Sequence, residues 1–316
     1  MTSRVDPWTF LAWMLCAGAV FAQAHANKPI RIVTTAPGSA NDLVARLIAP
    51  GLTGSLGRQV IVDNRGTIAG EIVAKSPPDG HTLLSYGSSF WLSPFMRDNV
   101  PWDPVKDFSP IALTTNSPDM VVVHPSLPVK SVRELIALAK ARPGDLNYGS
   151  SVTGSTPHLA AELFKSMARV DIVRVPYKGV GPALVALIGG HVEVMFPNAG
   201  AAAPHIKSGR LRALAVASAR PSPLTPGLPT VASSGLPGYE SSTILGMFAP
   251  AGTPPAIIDR LNQAVVRALH APDVKEKLFS SAIEVVASSP RAFAATLKSD
   301  MAKWGKVIRD AGIRGE

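Results

Sequence analysis

Short apolar runs, each followed by turn residues and then by helical periodicity, recur along the chain, and this alternation narrows the fold most. IRIV (30–33) leads into a helix around Asp42 to Leu56, and QVIVDN (59–64) reads as a strand. A short helix over Gly70 to Lys75 precedes the strand HTLLSYG (81–87), and MVVVHP (120–125) is another strand. Ser131 caps VRELIALAKARPG, which turns Leu135 and Leu138 inward and ends at Pro143-Gly144. LNYGS (146–150), a helix from Pro157 to Met167, VDIVRVPY (170–177), a helix from Gly181 to Ile188 and VEVMFP (192–197) continue the series. LRALAVAS (211–218) and GMFAP (246–250) are later strands, and Pro255 to His270 and Pro290 to Ala311 are helical. The pattern predicts α/β architecture with mostly parallel sheets. The length of 316 residues suits two domains better than one. The Pro-rich ARPSPLTPGLPT (219–230) reads as a loop within a domain, because a core strand follows it.

In such sheets ligands bind in the crevice at the carboxyl ends of the strands. One such end carries Pro37-Gly38-Ser39-Ala40-Asn41-Asp42, which opens a helix and offers backbone N–H groups to an anion. Gly38 lacks the glycine partners of a dinucleotide fingerprint, and the turn lacks the lysine of a phosphate loop. A second strand–loop–helix unit, YGSSVTGSTPHLAAELF (148–164), is rich in Gly, Ser and Thr. Two loops of this kind are expected to grip two ends of one anion.

The chain is 46% hydrophobic and 17% charged, the composition of a globular protein with a large core. Its net charge of +9 is spread without a basic run, and aromatics are only 6%, so a nucleic-acid partner is not expected. The excess of positive charge still favours anionic ligands through steering. Residues 1–26 read as a secretory signal: Arg4, the apolar stretch Trp8 to Ala22, and Ala24-His25-Ala26 as the cleavage site near Ala26. The apolar stretch is shorter than the roughly 20 residues of a membrane span. Trp13-Met14-Leu15 lacks the small residue expected ahead of a lipidated cysteine at Cys16. Cys16 is the only cysteine, so the mature chain is expected to hold no disulfide, zinc–cysteine site or cysteine nucleophile. A monomeric periplasmic protein is the expectation.

Ser150, Ser151 and His158 raise the possibility of a cleft hydrolase, but Gly149-Ser150-Ser151-Val152-Thr153-Gly154 has the wrong spacing for a nucleophile elbow. The plainer reading has His158 donating a hydrogen bond to the loop or to a ligand. Asp42 is either a helix-start carboxylate favoured by the dipole or a partner for a ligand amine or water. The seven histidines are dispersed and no paired motif occurs, so neither a metal nor a cofactor is expected.

KPIRIVTTAPGSANDLVARLIAPGL resembles the opening of Bug-type receptors, the substrate-binding proteins of tripartite tricarboxylate transporters, whose pattern there is close to P-F-A-P-G-G-x-x-D-x-x-A-R. The resemblance continues through KSPPDGHTLL (75–84), YGSSVTGSTPHLAAELF (148–164), VPYKGVGPALVALIGGHVEVMF (175–196), LRALAVASARPSPLTPGLPTVASSGLPGYE (211–240), FAPAGTPPAIIDRLN (248–262) and KWGKVIRDAGI (303–313). It implies a type II periplasmic-binding-protein fold: two α/β domains with an interdomain ligand cleft, here 27–122 plus 243–316 and 123–242. It also implies a small organic carboxylate as ligand, hinge closure, and membrane transporter or sensor subunits as partners; an orphan signalling receptor is the alternative output. The positions matching the family's ligand contacts are Pro37, Gly38, Ser39, Asn41 and Asp42, then Gly87 and Ser88. On the other domain they are Ser150, Ser151, Gly154, Ser155 and His158, with Tyr177, Lys178, Gly179 and Asn198.

Four departures bear on the ligand. Thr35 and Ser39 stand where the family usually has Phe and a second Gly. Pro197 replaces an Asp common before the Asn at 198, which removes a partner for a ligand amine and argues against amino acids. Phe90-Trp91 occupies a place where small or polar residues are commoner, and is expected to narrow the pocket or stack on a planar ligand.

Overall fold

The computed structural model describes residues 28–315; the signal segment and Cys16 lie outside the described residues. The chain builds two mixed sheets, each covered by helices on both faces. The first begins with β1 (Ile30–Thr34), α1 (Ala40–Leu56), β2 (Val60–Asn64), α2 (Ala69–Ala74), β3 (Thr82–Gly87) and the short α3 (Ser88–Leu92), then β4 (Phe108–Pro118). The second takes β5 (Met120–Val123), α4 (Val132–Ala141), β6 (Asn147–Ser150), α5 (Thr156–Ala168), β7 (Val173–Pro176), α6 (Val180–Ile188), β8 (Val194–Met195), α7 (Ala199–Lys207) and β9 (Arg212–Val216). The chain then returns to the first with β10 (Ser242–Pro250), α8 (Pro255–Leu269), α9 (Pro272–Ser280), β11 (Glu284–Val285) and α10 (Pro290–Asp310).

The six-stranded sheet runs β11-β4-β10-β3-β1-β2 and the five-stranded sheet β7-β6-β8-β5-β9. Neither is mostly parallel, which corrects the expectation from alternation. β1 pairs in parallel with β2 and β3, but β10 is antiparallel to β3 and β4. In the second sheet β6 is parallel to β7 and β8, while β5 is antiparallel to β8 and β9. The cause is topological. The chain leaves the first sheet along β4 and re-enters it along β10, so these neighbours must run in opposite directions.

Each sheet separates two apolar layers. Ile48, Leu52 and Val44 of α1 pack with Leu261, Val265 and Leu269 of α8 on one face of the first sheet. Phe90, Trp91, Phe248, Phe293 and Trp304 pack on the other. In the second sheet Leu135, Phe164 and Phe196 lie on one side and Leu184, Leu187 and Met195 on the other. A fully buried side chain of this size contributes about 1.5–3 kcal/mol.

The two crossings between the sheets meet at one buried carboxyl. Asp119 joins β4 to β5 and is wholly buried. Its N–H donates to the Ser241 carbonyl (3.3 Å), and its own carbonyl accepts from Ala217 N–H (2.7 Å). The Ser241 hydroxyl donates to Oδ2 (2.5 Å) and that of Thr243 to Oδ1 (3.2 Å). Burial pushes the Asp119 carboxyl up to about 7, against the two hydroxyl bonds and the charge of Lys303. Lys303, on α10, donates to the Glu240 carbonyl (2.6 Å), tying the first sheet's last helix to the return crossing.

Candidate functional site

α1 begins where β1 ends, and the turn between them is held from within. Ser39 caps the helix by accepting from Asp42 N–H (3.2 Å), worth about 1 kcal/mol. Asp42 accepts from Gly38 N–H (2.9 Å), from Arg46 Nε (2.9 Å) and from Asn64 Nδ2 (2.9 Å). Burial works to raise its carboxyl, but these bonds outweigh it and hold the group below the usual carboxylate range. Both Asp42 oxygens are therefore engaged, Oδ2 by Gly38 of the turn and Oδ1 by Arg46 of α1 and Asn64 of β2. Of the two readings of this residue, the structural one describes what it touches.

In the second lobe α7 begins after β8 in the same manner. Asn198 caps it, Oδ1 accepting from Ala201 N–H (2.9 Å). The Pro197 carbonyl accepts from Met120 N–H (2.8 Å), fixing this helix start beside the crossing. The two helix starts face one cavity of about 450 Å³. Gly38, Ser39, Ala40 and Leu43 line it from α1, and Asn198, Gly200 and Ala201 from α7. Thr115, Ser117, Thr243 and Leu245 of the crossing strands form its floor, and Ser280, Ser281 and Ile283 close one side. Among the described residues no charged side chain lines this cavity. Its polarity comes from hydroxyls, one amide and the positive ends of two helix dipoles, which together favour an anion. The Thr115 hydroxyl is buried with no partner among the described residues, and so is Asn41 Oδ1. Gly87 lies next to Asn41: a Cβ there would stand 4.0 Å from Asn41 Oδ1 and 3.1 Å from Leu245 Cδ2.

The second expected loop lies elsewhere in the interface. Gly154 packs on Met96 of the first lobe so closely that a Cβ would come within 2.2 Å of the Met96 sulfur, and its φ of +77° suits glycine. Leu159 of α5 sits in the aromatic layer of the first lobe with Trp91 and Met96. Arg174 of β7 shapes the loop, donating to Ser150 Oγ (2.8 Å), Thr153 Oγ1 (3.2 Å) and the Ser151 carbonyl (3.1 Å). His158 is buried, and its Nδ1 accepts from Gly154 N–H (3.1 Å). Burial, with Arg174 and Lys165 nearby, lowers its pKa to about 3, so the ring is neutral with its proton on Nε2. His158 thus accepts a bond from the loop rather than donating one. The Ser155 hydroxyl is buried without a partner among the described residues.

Of the expected positions, Gly38, Ser39 and Asn198 line the cavity and the others do not. Pro37 is exposed in the turn, and the Ser88 side chain bonds Asp300. Tyr177 donates its backbone N–H to the Ser150 carbonyl (2.9 Å) and its ring joins an apolar cluster. Lys178 is exposed and Gly179 precedes α6.

Phe90 and Trp91 correct the expectation of a ligand-stacking pair. Both are buried, at 2% and 0% exposure. Phe90 stacks on Trp102 (5.6 Å between ring centres) and meets Phe108 edge-on (4.8 Å). Trp91 Nε1 donates to Asp300 Oδ2 (2.6 Å). Their side chains belong to the core on the α10 side of the sheet.

Sequence reasoning missed Thr115, Ser117, Thr243, Gly200 and Arg174. The polar run Thr114-Thr115-Asn116-Ser117 hid β4, because its hydroxyls are buried without alternation, two of them bonded to distant carbonyls and that of Thr115 left without a partner among the described residues. Thr114 Oγ1 donates to the Leu245 carbonyl (2.9 Å) and Ser117 Oγ to the Ala282 carbonyl (2.8 Å). Gly200 would have been legible only as a close approach: a Cβ there would lie 2.3 Å from the Ser281 carbonyl oxygen across the interface.

The family model described as the tripartite tricarboxylate transporter family receptor (TctC) matches residues 44–313. Protein BugT of Bordetella pertussis is 36% identical over 312 residues, covering 96% of each chain. Among solved structures, R. palustris Rpa4515 with adipate is 36% identical with a TM-score of 0.80, covering 91% of this chain and 98% of that one. MatC from Rhodopseudomonas palustris with bound malate is 31% identical with a TM-score of 0.75, covering 89% and 98%. A structure of the periplasmic binding protein BugD also matches, at 29% identity and a TM-score of 0.78, covering 91% and 99%.

Proposed function

The chain belongs to the tripartite tricarboxylate transporter receptor family, and from that premise we propose that it captures a small organic carboxylate in the cavity between α1 and α7. The observation that carries this reading is the meeting of two helix starts from different lobes on one cavity without charged side chains among the described residues, above a buried Thr115 hydroxyl that has no partner there. A carboxylate end group satisfies first-turn N–H groups and hydroxyls without requiring a buried arginine. Two jaws on separate lobes also give the ligand a preference for the closed arrangement, which is what drives hinge closure. The adipate and malate bound to the two R. palustris relatives make a dicarboxylate the first class to test.

In this reading Gly38, Ser39, Asn41, Asn198, Thr115 and Thr243 face the ligand. Ser155 and the rest of the second loop lie outside this cavity. Asp42, His158 and Arg174 position the loops, and Ser88 and Ser150 are engaged in internal bonds. The lobes divide and hinge at the crossings around Asp119 and Ser241 rather than at 122/123 and 242/243, because β5 (Met120–Val123) pairs within the second sheet and β10 begins at Ser242. Among the described residues no carboxylate lines the cavity, so an ammonium group has no partner there and amino acids are disfavoured. The bond between His158 and Gly154 N–H supports a binding role for this loop over a hydrolytic one. The protein is exported by its first 26 residues to the periplasm, acts there as a monomer and delivers its ligand to membrane subunits.

The test is calorimetric titration of the mature protein with C4–C6 dicarboxylates, their diamides and aspartate, alongside the Thr115→Val variant. At least one dicarboxylate binds one per chain, its diamide does not, and Thr115→Val weakens binding while leaving the melting temperature equal or higher. Equal binding of the diamide, or full affinity in Thr115→Val, refutes the site.

A further inference from the structure

A second cavity, of about 750 Å³, opens in the second lobe away from the interlobe cleft and shares no lining residue with it among the described residues. Its walls are the last turn of α7 with Ile206, Leu211 just ahead of β9, Met120 of β5, and Leu224 and Leu228 of the Pro-rich loop. These side chains belong to the apolar cluster beneath, so the cavity floor is continuous with the core. The loop that covers it is tied down at its far end. Val216 N–H donates to the Pro229 carbonyl (2.9 Å) and Val231 N–H to the Val216 carbonyl (2.9 Å).

Two features distinguish this cavity from a simple apolar hollow. Thr225 lines it with 7% exposure, and its hydroxyl has no partner among the described residues. Its backbone is satisfied, the N–H donating to the Ser222 carbonyl (3.0 Å) and the carbonyl accepting from Leu228 N–H (3.3 Å), so the side chain alone is left over. Buried hydroxyls are nearly always paired, and an orphan calls for a missing partner. Among the described residues the charged ones in the lining are Lys207 and Arg212, both cationic. Arg212 pairs with Val123, and its Nη1 donates to the Leu127 and Val129 carbonyls (3.2 and 3.0 Å) beside the apolar cluster on the opposite face of the sheet, so the exposed Lys207 is the cation offered to the cavity.

We propose that this cavity is a second binding site that takes an amphipathic monocarboxylate, its apolar body against Leu211, Leu224 and Leu228 and its anionic head at Lys207, with the Thr225 hydroxyl donating to it. The volume lies within the range of small-molecule sites, and an apolar lining with a few polar groups is their usual make-up. Lys207 selects the sign of the head group, and the apolar floor selects against the short dicarboxylates suited to the cleft. This inference does not rest on the reading of the cleft.

The probes are decanoate, 1-decanol and decyltrimethylammonium, titrated calorimetrically into the mature protein and its Ala203→Trp, Thr225→Val and Thr115→Val variants. Ala203 is an exposed lining residue on α7, so tryptophan there fills the cavity without entering the core. Decanoate binds one per chain, about tenfold or more tighter than the cationic analogue. Ala203→Trp abolishes that binding, Thr225→Val weakens it and Thr115→Val leaves it unchanged. Failure of decanoate to saturate the protein overturns the proposal. So does binding that survives Ala203→Trp, binding that Thr115→Val removes, or equal binding of the cationic analogue.

Discussion

Replacing Asp119 by asparagine tests the crossing region with a sign that can be worked out beforehand. The carboxyl is wholly buried between the two crossings, and its pKa stands at about 7 against an ordinary 3.8. In the unfolded chain it loses its proton near 3.8, whereas the folded protein keeps the proton to about 7. Between those values the native state holds more protons, so its stability falls as pH rises through the window and levels off above it. That gap corresponds to roughly 4 kcal/mol, at about 1.4 kcal/mol for each tenfold change in proton affinity. The asparagine keeps the shape and an acceptor for Thr243 but cannot ionise. The melting temperature of Asp119→Asn minus that of the wild type is therefore near its minimum at about pH 4, grows toward pH 7 and is flat beyond. At about 2 °C per kcal/mol for a chain of this size, the rise approaches roughly 8 °C. Thermal and urea melts of both proteins at matched ionic strength measure it. Groups common to both proteins cancel in the difference, including His158, whose slope has the opposite sign. Parallel pH curves would show that the hydroxyls and Lys303 offset burial completely, and would refute the argument.

His158, held near 3, disfavours protonation in the fold, so native stability is lost as pH falls below about 6.5; His158→Asn keeps an acceptor for Gly154 N–H and shows a shallower acid limb in urea melts between about pH 4 and 7. Trp91→Phe removes the donor to Asp300, whose carboxyl burial already pushes up, and lowers stability by about 1–3 kcal/mol. Its ranking of carboxylate ligands is unchanged, and an altered ranking at unchanged stability would return Trp91 to the ligand. Gly200→Ala places a Cβ against the Ser281 carbonyl oxygen, which only lobe separation relieves. Affinity for the cleft ligand falls about tenfold or more, and X-ray scattering shows the liganded variant more open than the wild type; wild-type affinity would mean that this contact is not part of closure.

Much of the fold was legible in sequence because it rests on local rules. Ser131 and Ser39 announce helix starts, Val33 and Val121 lie in short apolar runs, and the turn at Gly38 ends a strand before a helix; each signal is carried by residues a few positions apart. The alternation of such runs led to two α/β lobes, and the Gly38–Asp42 turn was placed at a strand's carboxyl end by the same local signals. Strand direction was not legible, because it depends on where the chain re-enters a sheet after a long excursion. β4 escaped notice because its buried Thr114 and Ser117 find partners on β10 and beside β11, well over a hundred residues away, which no local pattern records. The same limit governed the site. Asp42 read equally as a ligand partner or a structural group until Asn64 and Gly38 were seen to use both of its oxygens. Phe90 and Trp91 read as pocket walls until the sheet turned them to the α10 side. Helices, strands, caps and the donor chemistry of the loops are thus written in runs of neighbouring residues. Which loops share a cavity, which polar groups are already satisfied and which are left for a ligand are matters of folding in space, because each depends on neighbours supplied by distant parts of the chain.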